Sequence, residues 1–434
     1  MTVFTIAAPP SAPSSITASD FKLPPPTRTQ SLSKGPEAVV DKHDNVAMLH
    51  RVSRDFRSDT LTIPTDDMFI VMANASRGDD VYEEDATTTA FEAQIAALTG
   101  KEAALFVATG TLSNQLAIRT HLHQPPYSIV CDVRSHINTY ESGGAAFHSG
   151  AHMIPITPSN KHHLTWEDIE PRLVLAEEEV HSAPTRLICL ENTLNGTIFP
   201  QEEIVRIANE AHHLGIQMHV DGARLWNVAA ETDTPIHTLC KPFDTVNMCF
   251  SKGLGAPVGS ILAGPAKFIR KARHFRKIFG AGQRQTGPLA AAAKLAVETS
   301  LPKLKATHEL ARYAQAELEK LGVRIITPAE TGMLFIDTQS VGIHPAELTE
   351  RAERLSDPLY VRTQRLVMHF QTDPQAVVDL LQLVAQMKQE KLDQGFVATD
   401  NPSAIEGPTG NVYIRAAGDK LPRYMFNNTT RNCT

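Results

Sequence analysis

Cysteine is scarce and badly placed for cross-linking. Five occur in 434 residues (Cys131, Cys189, Cys240, Cys249 and Cys433), an odd number with no C-x-x-C pair. That argues against a disulfide-stapled scaffold and for reduced, mostly buried thiols in a cytoplasmic protein. No run of about 18 apolar residues exists, so no transmembrane helix and no membrane partner are expected. An excess of positive charge is lacking too. Lys plus Arg number 41 against 48 Asp plus Glu, a formal net charge of -7, which sets aside a strongly basic nucleic-acid binder. No Lys or Arg precedes the short apolar stretch 3–8, so a secretory leader is not expected. The pairs His162-His163 and His212-His213 lack carboxylates or cysteines at ligand spacing, and no metal site is expected.

What the chain has is a strongly organised middle. Residues 1–50 are rich in Ser, Thr, Ala and Pro and carry little patterned apolar surface, so they read as a disordered N-terminal tail. Over residues 51–300 short apolar runs alternate with longer helical patterns. The runs are Ala103–Val107, Ser128–Cys131, Leu187–Leu190, Ile216–Val220, Val246–Phe250 and Ser260–Ala263, and Gln201–Leu214 is one of the helical stretches between them. Repetition of strand and helix predicts an α/β domain with a mainly parallel sheet covered by helices. Residues 301–393 mix helices with short apolar runs and predict a smaller α+β domain, and residues 394–434 lose periodicity and read as an irregular tail. The stretch Lys267–Lys277 holds six basic residues and reads as a solvated or subunit-interface helix.

In open parallel sheets ligands bind beyond the carboxyl ends of the strands, so polar residues that close apolar runs carry the functional reading. Asp221 closes the run Ile216–Val220 within His219-Val220-Asp221-Gly222-Ala223-Arg224. Lys252 follows the run Val246–Phe250 within Ser251-Lys252-Gly253-Leu254-Gly255. Taken singly, the Asp is a helix cap and the Lys a surface residue. Taken together, an amine and a carboxylate at neighbouring strand ends suit pyridoxal phosphate: the amine condenses with the cofactor aldehyde and the carboxylate keeps the pyridine nitrogen protonated. Ala108-Thr109-Gly110-Thr111 follows one apolar run and opens a helical pattern. Amides at such a helix start, with the Thr111 hydroxyl, suit the cofactor phosphate, and Ser251 could add a second hydroxyl.

These residues stand among further landmarks: Phe56-Arg57-Ser58-Asp59-Thr60, Gly78-Asp79-Asp80-Val81-Tyr82, Glu191-Asn192-Thr193, Gly280-Ala281-Gly282-Gln283-Arg284-Gln285 and Arg365-Leu366-Val367. In this order, from Asp55 to about Lys391, they resemble the threonine aldolases, pyridoxal-phosphate enzymes of the aspartate-aminotransferase-like fold (fold type I). The resemblance implies that Lys252 is the cofactor lysine and Asp221 the pyridinium partner. It implies that Gly110, Thr111 and Ser251 hold the phosphate with Arg284 near it, and that His136 stacks on the ring. Ser58, Arg224 and Arg365 match the residues that grip the substrate carboxylate. Many bacterial members read E-N-T-H-N-G where this chain has Leu194 in place of the His, so a proton acceptor near the substrate β-hydroxyl falls to His136 or a water.

The function expected is therefore a pyridoxal-phosphate-dependent aldolase that cleaves or forms β-hydroxy-α-amino acids, threonine or allo-threonine giving glycine and acetaldehyde. The alternative is an alanine-type racemase on the same scaffold. A small amino-acid substrate and a homo-oligomer, dimer or tetramer, are the expected partners.

Overall fold

The computed structural model describes residues 42–175, 180–362 and 364–397. Contact density divides the chain into residues 1–47 and 48–434, and the fold belongs to the second unit. The tails expected over 1–50 and 394–434 lie for the most part outside the described residues, as does Cys433; residues 42–50 fall within the helix Lys42–Ser53.

Among the described residues ten strands form two sheets. The first contains β1 (Ala103–Val107), β2 (Ser128–Asp132), β3 (His152–Ile156), β4 (Thr185–Glu191), β5 (Gln217–Asp221), β6 (Thr245–Cys249) and β7 (Ser260–Gly264), in the spatial order β1-β7-β6-β5-β4-β2-β3. Pairs β2–β3, β2–β4, β4–β5 and β5–β6 are parallel, whereas β7 runs antiparallel between β1 and β6. The second sheet is antiparallel, β10 (Arg365–Val367), β9 (Met333–Asp337), β8 (Arg324–Thr327). The α/β class with a mainly parallel sheet and a smaller second sheet is thus as the sequence predicts.

Alternation along the inner strands sorts their side chains onto two faces. Ala104, Phe106, Val130, Ile188, Leu190, Ile261 and Ala263 join one apolar cluster, which also takes Phe91, Trp226 and Phe250. Their neighbours Leu105, Val107, Ile129, Cys131, Leu187, Cys189 and Leu262 pack in two clusters on the other face. Strands apolar on both faces are what helix-covered parallel sheets require. β3 has no counterpart among the runs read from sequence: only Ile156 of its five residues is buried, and Pro155 suits the edge position it occupies. A separate cluster surrounds the small sheet and includes Phe56. The segment carrying Phe56 is tied to this sheet, because Phe56 N–H donates to Tyr360 O (2.9 Å) and Val367 N–H donates to Phe56 O (2.9 Å).

The helix Ala266–Ile278, expected to be solvated or at a subunit interface, departs from a wholly solvated one at two positions. Its basic residues are not all solvated: Arg276 is 2% exposed, pairs with buried Asp80 (2.5 Å) and donates to Phe106 O (2.8 Å). Arg273 reaches Asp80 and Glu92. Buried acids from distant segments draw these guanidinium groups inward. Glu92 itself is pushed up to about 7, by burial foremost, with Arg273 and Arg276 opposing.

Candidate active site

The parallel register lines up the ends of the central strands. Glu191 sits opposite Asp221, and Asp221 opposite Asn247, so the acids that close β4 and β5 stand in a row with the mid-strand Asn247 of β6. Lys252 follows β6 at the same edge. Its ammonium makes no hydrogen bond or ion pair among the described residues. Its backbone is pinned instead: Lys252 O accepts from Thr62 Oγ1 (2.8 Å) and from Gly255 N–H (2.9 Å). The positive φ of Gly255 (79°) makes this turn possible, and a Cβ there would meet the Phe370 ring at 2.6 Å.

Asp221 is 5% exposed and surrounded by donors. Asn114 Nδ2 donates to Oδ2 (2.7 Å), while Asn247 Nδ2 and Ala223 N–H donate to Oδ1 (both 3.0 Å). Burial alone would raise this carboxyl, but the Lys252 and His136 charges and these donors outweigh it and hold it below its ordinary value. His136 opens the short helix His136–Thr139, where its N–H donates to Glu191 Oε2 (2.7 Å) and its Nδ1 pairs with Glu141 Oε1 (2.8 Å). Asn114 and Gln115 also donate to Glu141, so that carboxylate accepts on every side. Burial depresses the imidazole, yet Glu141, Asp221 and Glu191 together raise it. Glu191 is pushed up to about 8, by burial first and by Asp221 second.

The helix Gly110–His121 begins where β1 ends. Thr109 caps it by accepting from Leu112 N–H (3.1 Å), and the first-turn amides of Gly110 and Thr111 lack intrahelical acceptors. A Cβ on Gly110 would lie 2.7 Å from Cys249 Sγ, so the helix start crowds the end of β6, two residues from Ser251. On the other side of Lys252, Ser58 Oγ accepts from Thr60 N–H (3.2 Å) and is 7% exposed. Arg224 grips Asp59 bidentately, Nε at 2.8 Å and Nη2 at 2.6 Å. Arg365 donates to Arg57 O (2.7 Å) from β10. Burial would raise Asp59, but Arg224, Lys252 and Arg365 lower it to about 2.

Lys252, Asp221 and His136 therefore share one site, with Ser58, Arg224 and Arg365 grouped about Asp59 beside it. Arg284 does not join them within this chain: its side chain is 60% exposed and Nη1 donates to Asp79 Oδ2 (2.8 Å). The roles of Asp59, Asn114, Glu141 and Asn247 escape the sequence reading.

The residues present fit pyridoxal phosphate. A buried, ionised acid ringed by donors suits a pyridinium, the open helix start suits a phosphate, and an unpaired strand-end amine suits an aldehyde. The beta-eliminating lyase family matches residues 55–340. A probable low-specificity L-threonine aldolase of Schizosaccharomyces pombe is 46% identical over 76% of this chain and 86% of its own length. The chain belongs to the threonine aldolase family of beta-eliminating lyases. A low-specificity L-threonine aldolase of Saccharomyces cerevisiae is 41% identical over 82% of this chain and 90% of its own. The threonine aldolase of Leishmania major superposes with a TM-score of 0.65 at 20% identity, over 77% of this chain and 99% of that one, a likeness of fold. This family member is a pyridoxal-phosphate-dependent lyase of fold type I.

Proposed function

We propose that the enzyme cleaves, and in reverse forms, β-hydroxy-α-amino acids, with threonine or allo-threonine giving glycine and acetaldehyde. The observation that carries this reading is Asp221, a buried carboxylate kept ionised beside Lys252 at the ends of adjacent strands. Pyridoxal phosphate, once bound, supplies a protonated ring that draws electrons from the bonds at the amino acid's α carbon. Asp221 keeps the proton on that ring nitrogen. Lys252 Nζ is the amine that holds the aldehyde carbon, and Gly110, Thr111 and Ser251 receive the phosphate. Ser58, Arg224 and Arg365 bind the substrate carboxylate, with Asp59 fixing the orientation of Arg224. His136 donates a hydrogen bond from Nδ1 to Glu141, so in its neutral form Nε2 is the bare nitrogen that takes the β-hydroxyl proton.

An alanine-type racemase would instead need an acid/base group on each side of the α carbon. Incubation with L-threonine, L-allo-threonine and L-alanine separates the two. Glycine and acetaldehyde are the expected products; exchange of the alanine α-proton without cleavage of either threonine isomer would overturn the aldolase.

The chain also acts as a closed homo-oligomer, dimer or tetramer, in the cytoplasm. Large apolar side chains stand exposed, Phe147 at 85%, Tyr82 at 71% and Ile278 at 62%. Tyr82 and Arg284 lie on loops joined by Asp80 N–H donating to Arg284 O (2.9 Å), a surface from which Arg284 reaches a neighbouring copy's phosphate site. Four buried free thiols, Cys131, Cys189, Cys240 and Cys249, suit a reducing compartment.

A further inference from the structure

Behind Asp221 a set of buried polar side chains has only one consistent arrangement of hydrogens. Asn114 Nδ2 faces Glu141 Oε1 and Asp221 Oδ2, each at 2.7 Å. Two carboxylate oxygens take both amide hydrogens, so Oδ1 is the atom that faces His219 Nε2 at 3.2 Å. A carbonyl oxygen only accepts, hence Nε2 carries the hydrogen. His219 is fully buried, and burial pushes it down to about 4 against the pull of Asp221. The imidazole is thus neutral and its Nδ1 bare. That nitrogen faces Thr245 Oγ1 at 2.8 Å, so the hydroxyl hydrogen points to it. Thr245 has no second hydrogen, so His121 Nε2, 2.8 Å from the same oxygen, donates. Burial foremost, then His219 and His123, keeps His121 neutral as well. His121 lines an open groove of about 780 Å³, which marks the outer end of the series.

We propose that His121, Thr245, His219 and Asn114 form a one-way hydrogen-bond chain that ends on the Asp221 carboxylate, with His219 as the positioning residue. His219 satisfies the Asn114 amide oxygen, which would otherwise be orphaned beside the site. As a neutral group it leaves the charge of Asp221 to the cofactor's ring nitrogen. The chain does not relay protons, because the Asn114 amide does not pass one on as an imidazole would. The second oxygen of Asp221 accepts from Asn247 Nδ2 (3.0 Å), and the Asn247 amide oxygen faces Ser260 Oγ (2.6 Å), whose one hydrogen is shared between it and Met248 O (2.7 Å).

The inference rests on Asp221 as the ring-nitrogen partner, and its test has an arm that does not. Nitrogen-15 NMR of the histidine-labelled full-length protein as purified, with His219→Gln and His121→Phe spectra to assign the two rings, should show both as neutral Nε2–H tautomers at neutral pH. Thr245→Val should move the His219 Nδ1 resonance and spare Nε2–H. A His219 that is doubly protonated or carries its hydrogen on Nδ1 overturns the chain, whether or not any variant folds. In the functional arm, His219→Leu should lower kcat about tenfold, the worth of one such hydrogen bond, with KM little changed. It should also shift the nitrogen-15 signal of labelled cofactor toward the unprotonated ring. His219→Gln, whose amide still reaches Asn114 Oδ1, should recover most of both. A His219→Leu protein with unaltered kcat and ring signal overturns the positioning role. If the unmodified protein takes up no cofactor, the proposed function fails, while the tautomers still decide the chain.

Discussion

The role proposed for Lys252 rests on an uncommitted side chain: its ammonium has no hydrogen bond or ion pair among the described residues while its backbone is tied to Thr62 and Gly255. Lys252→Ala should abolish the borohydride-reducible link to the cofactor and nearly all turnover; a reducible link that survives would show that another amine serves. Glu191 offers a test by pH. Its folded value, about 8, lies above the ordinary 4.5, so between the two the folded chain keeps a proton that the unfolded chain has released. The stability this gives is complete at pH below about 4.5 and is lost as pH rises through about 8. Glu191→Gln mimics the protonated acid, so its melting temperature should match the parent's in acid and exceed it increasingly toward pH 8. Parallel curves would contradict this. At the third position, Leu194 lines a cavity of about 10 Å³ with His163 and Glu191. Leu194→His should leave the cofactor bound and alter the preference between threonine and allo-threonine. His136→Phe should cut retro-aldol kcat far more than cofactor affinity, and allo-threonine cleavage at the parent rate would remove His136 as the base. Of these residues Lys252 and Asp221 could be singled out in sequence because each closes or follows a recognisable run, whereas His136 was singled out only by the resemblance to the family. Asn114 and Asp59 were not, because a lone Asn within a helix and an Asp in a turn look the same whether or not a distant partner faces them.

At the level of elements, six strands of the large sheet could be read as apolar runs because the sheet is covered on both faces. β3 was hidden because an edge strand is only partly buried. The helix Ala266–Ile278 shows the converse failure. Its basic stripe reads as solvent-facing, yet the acid that buries Arg276 comes from Asp80, remote in sequence, and no local pattern reports it. Removing one partner of such a pair strands the other. Arg276→Ala should therefore destabilise the fold by roughly 3–5 kcal/mol, whereas Lys267→Ala on the exposed side of the same helix should leave the denaturation midpoint in place. Equal midpoints for the two variants would show that the Asp80 pair contributes nothing net.

For the molecule as a whole, assembly is the first expectation. Light scattering should report a mass above that of one chain, and Arg284→Ala should weaken phosphate-dependent cofactor binding if a neighbour supplies that arginine. A fully active monomer would refute it. The second consequence lies in the order in which the chain is made. Ser58 and Asp59 are translated early, but Phe56 just before them gains its backbone partners only from Tyr360 and Val367. Arg365 arrives equally late, whereas Lys252 and Asp221 lie in the middle of the chain. A ribosome that has released residue 340, the limit of the family match, has exposed Lys252, Asp221 and His136, the groups proposed to handle the ring, and has not yet delivered β10, which carries Arg365, proposed to bind the substrate carboxylate. A nascent chain stalled there should capture cofactor before it can discriminate an amino acid, and competence toward substrate should appear only as residues 360–367 emerge and close over Phe56.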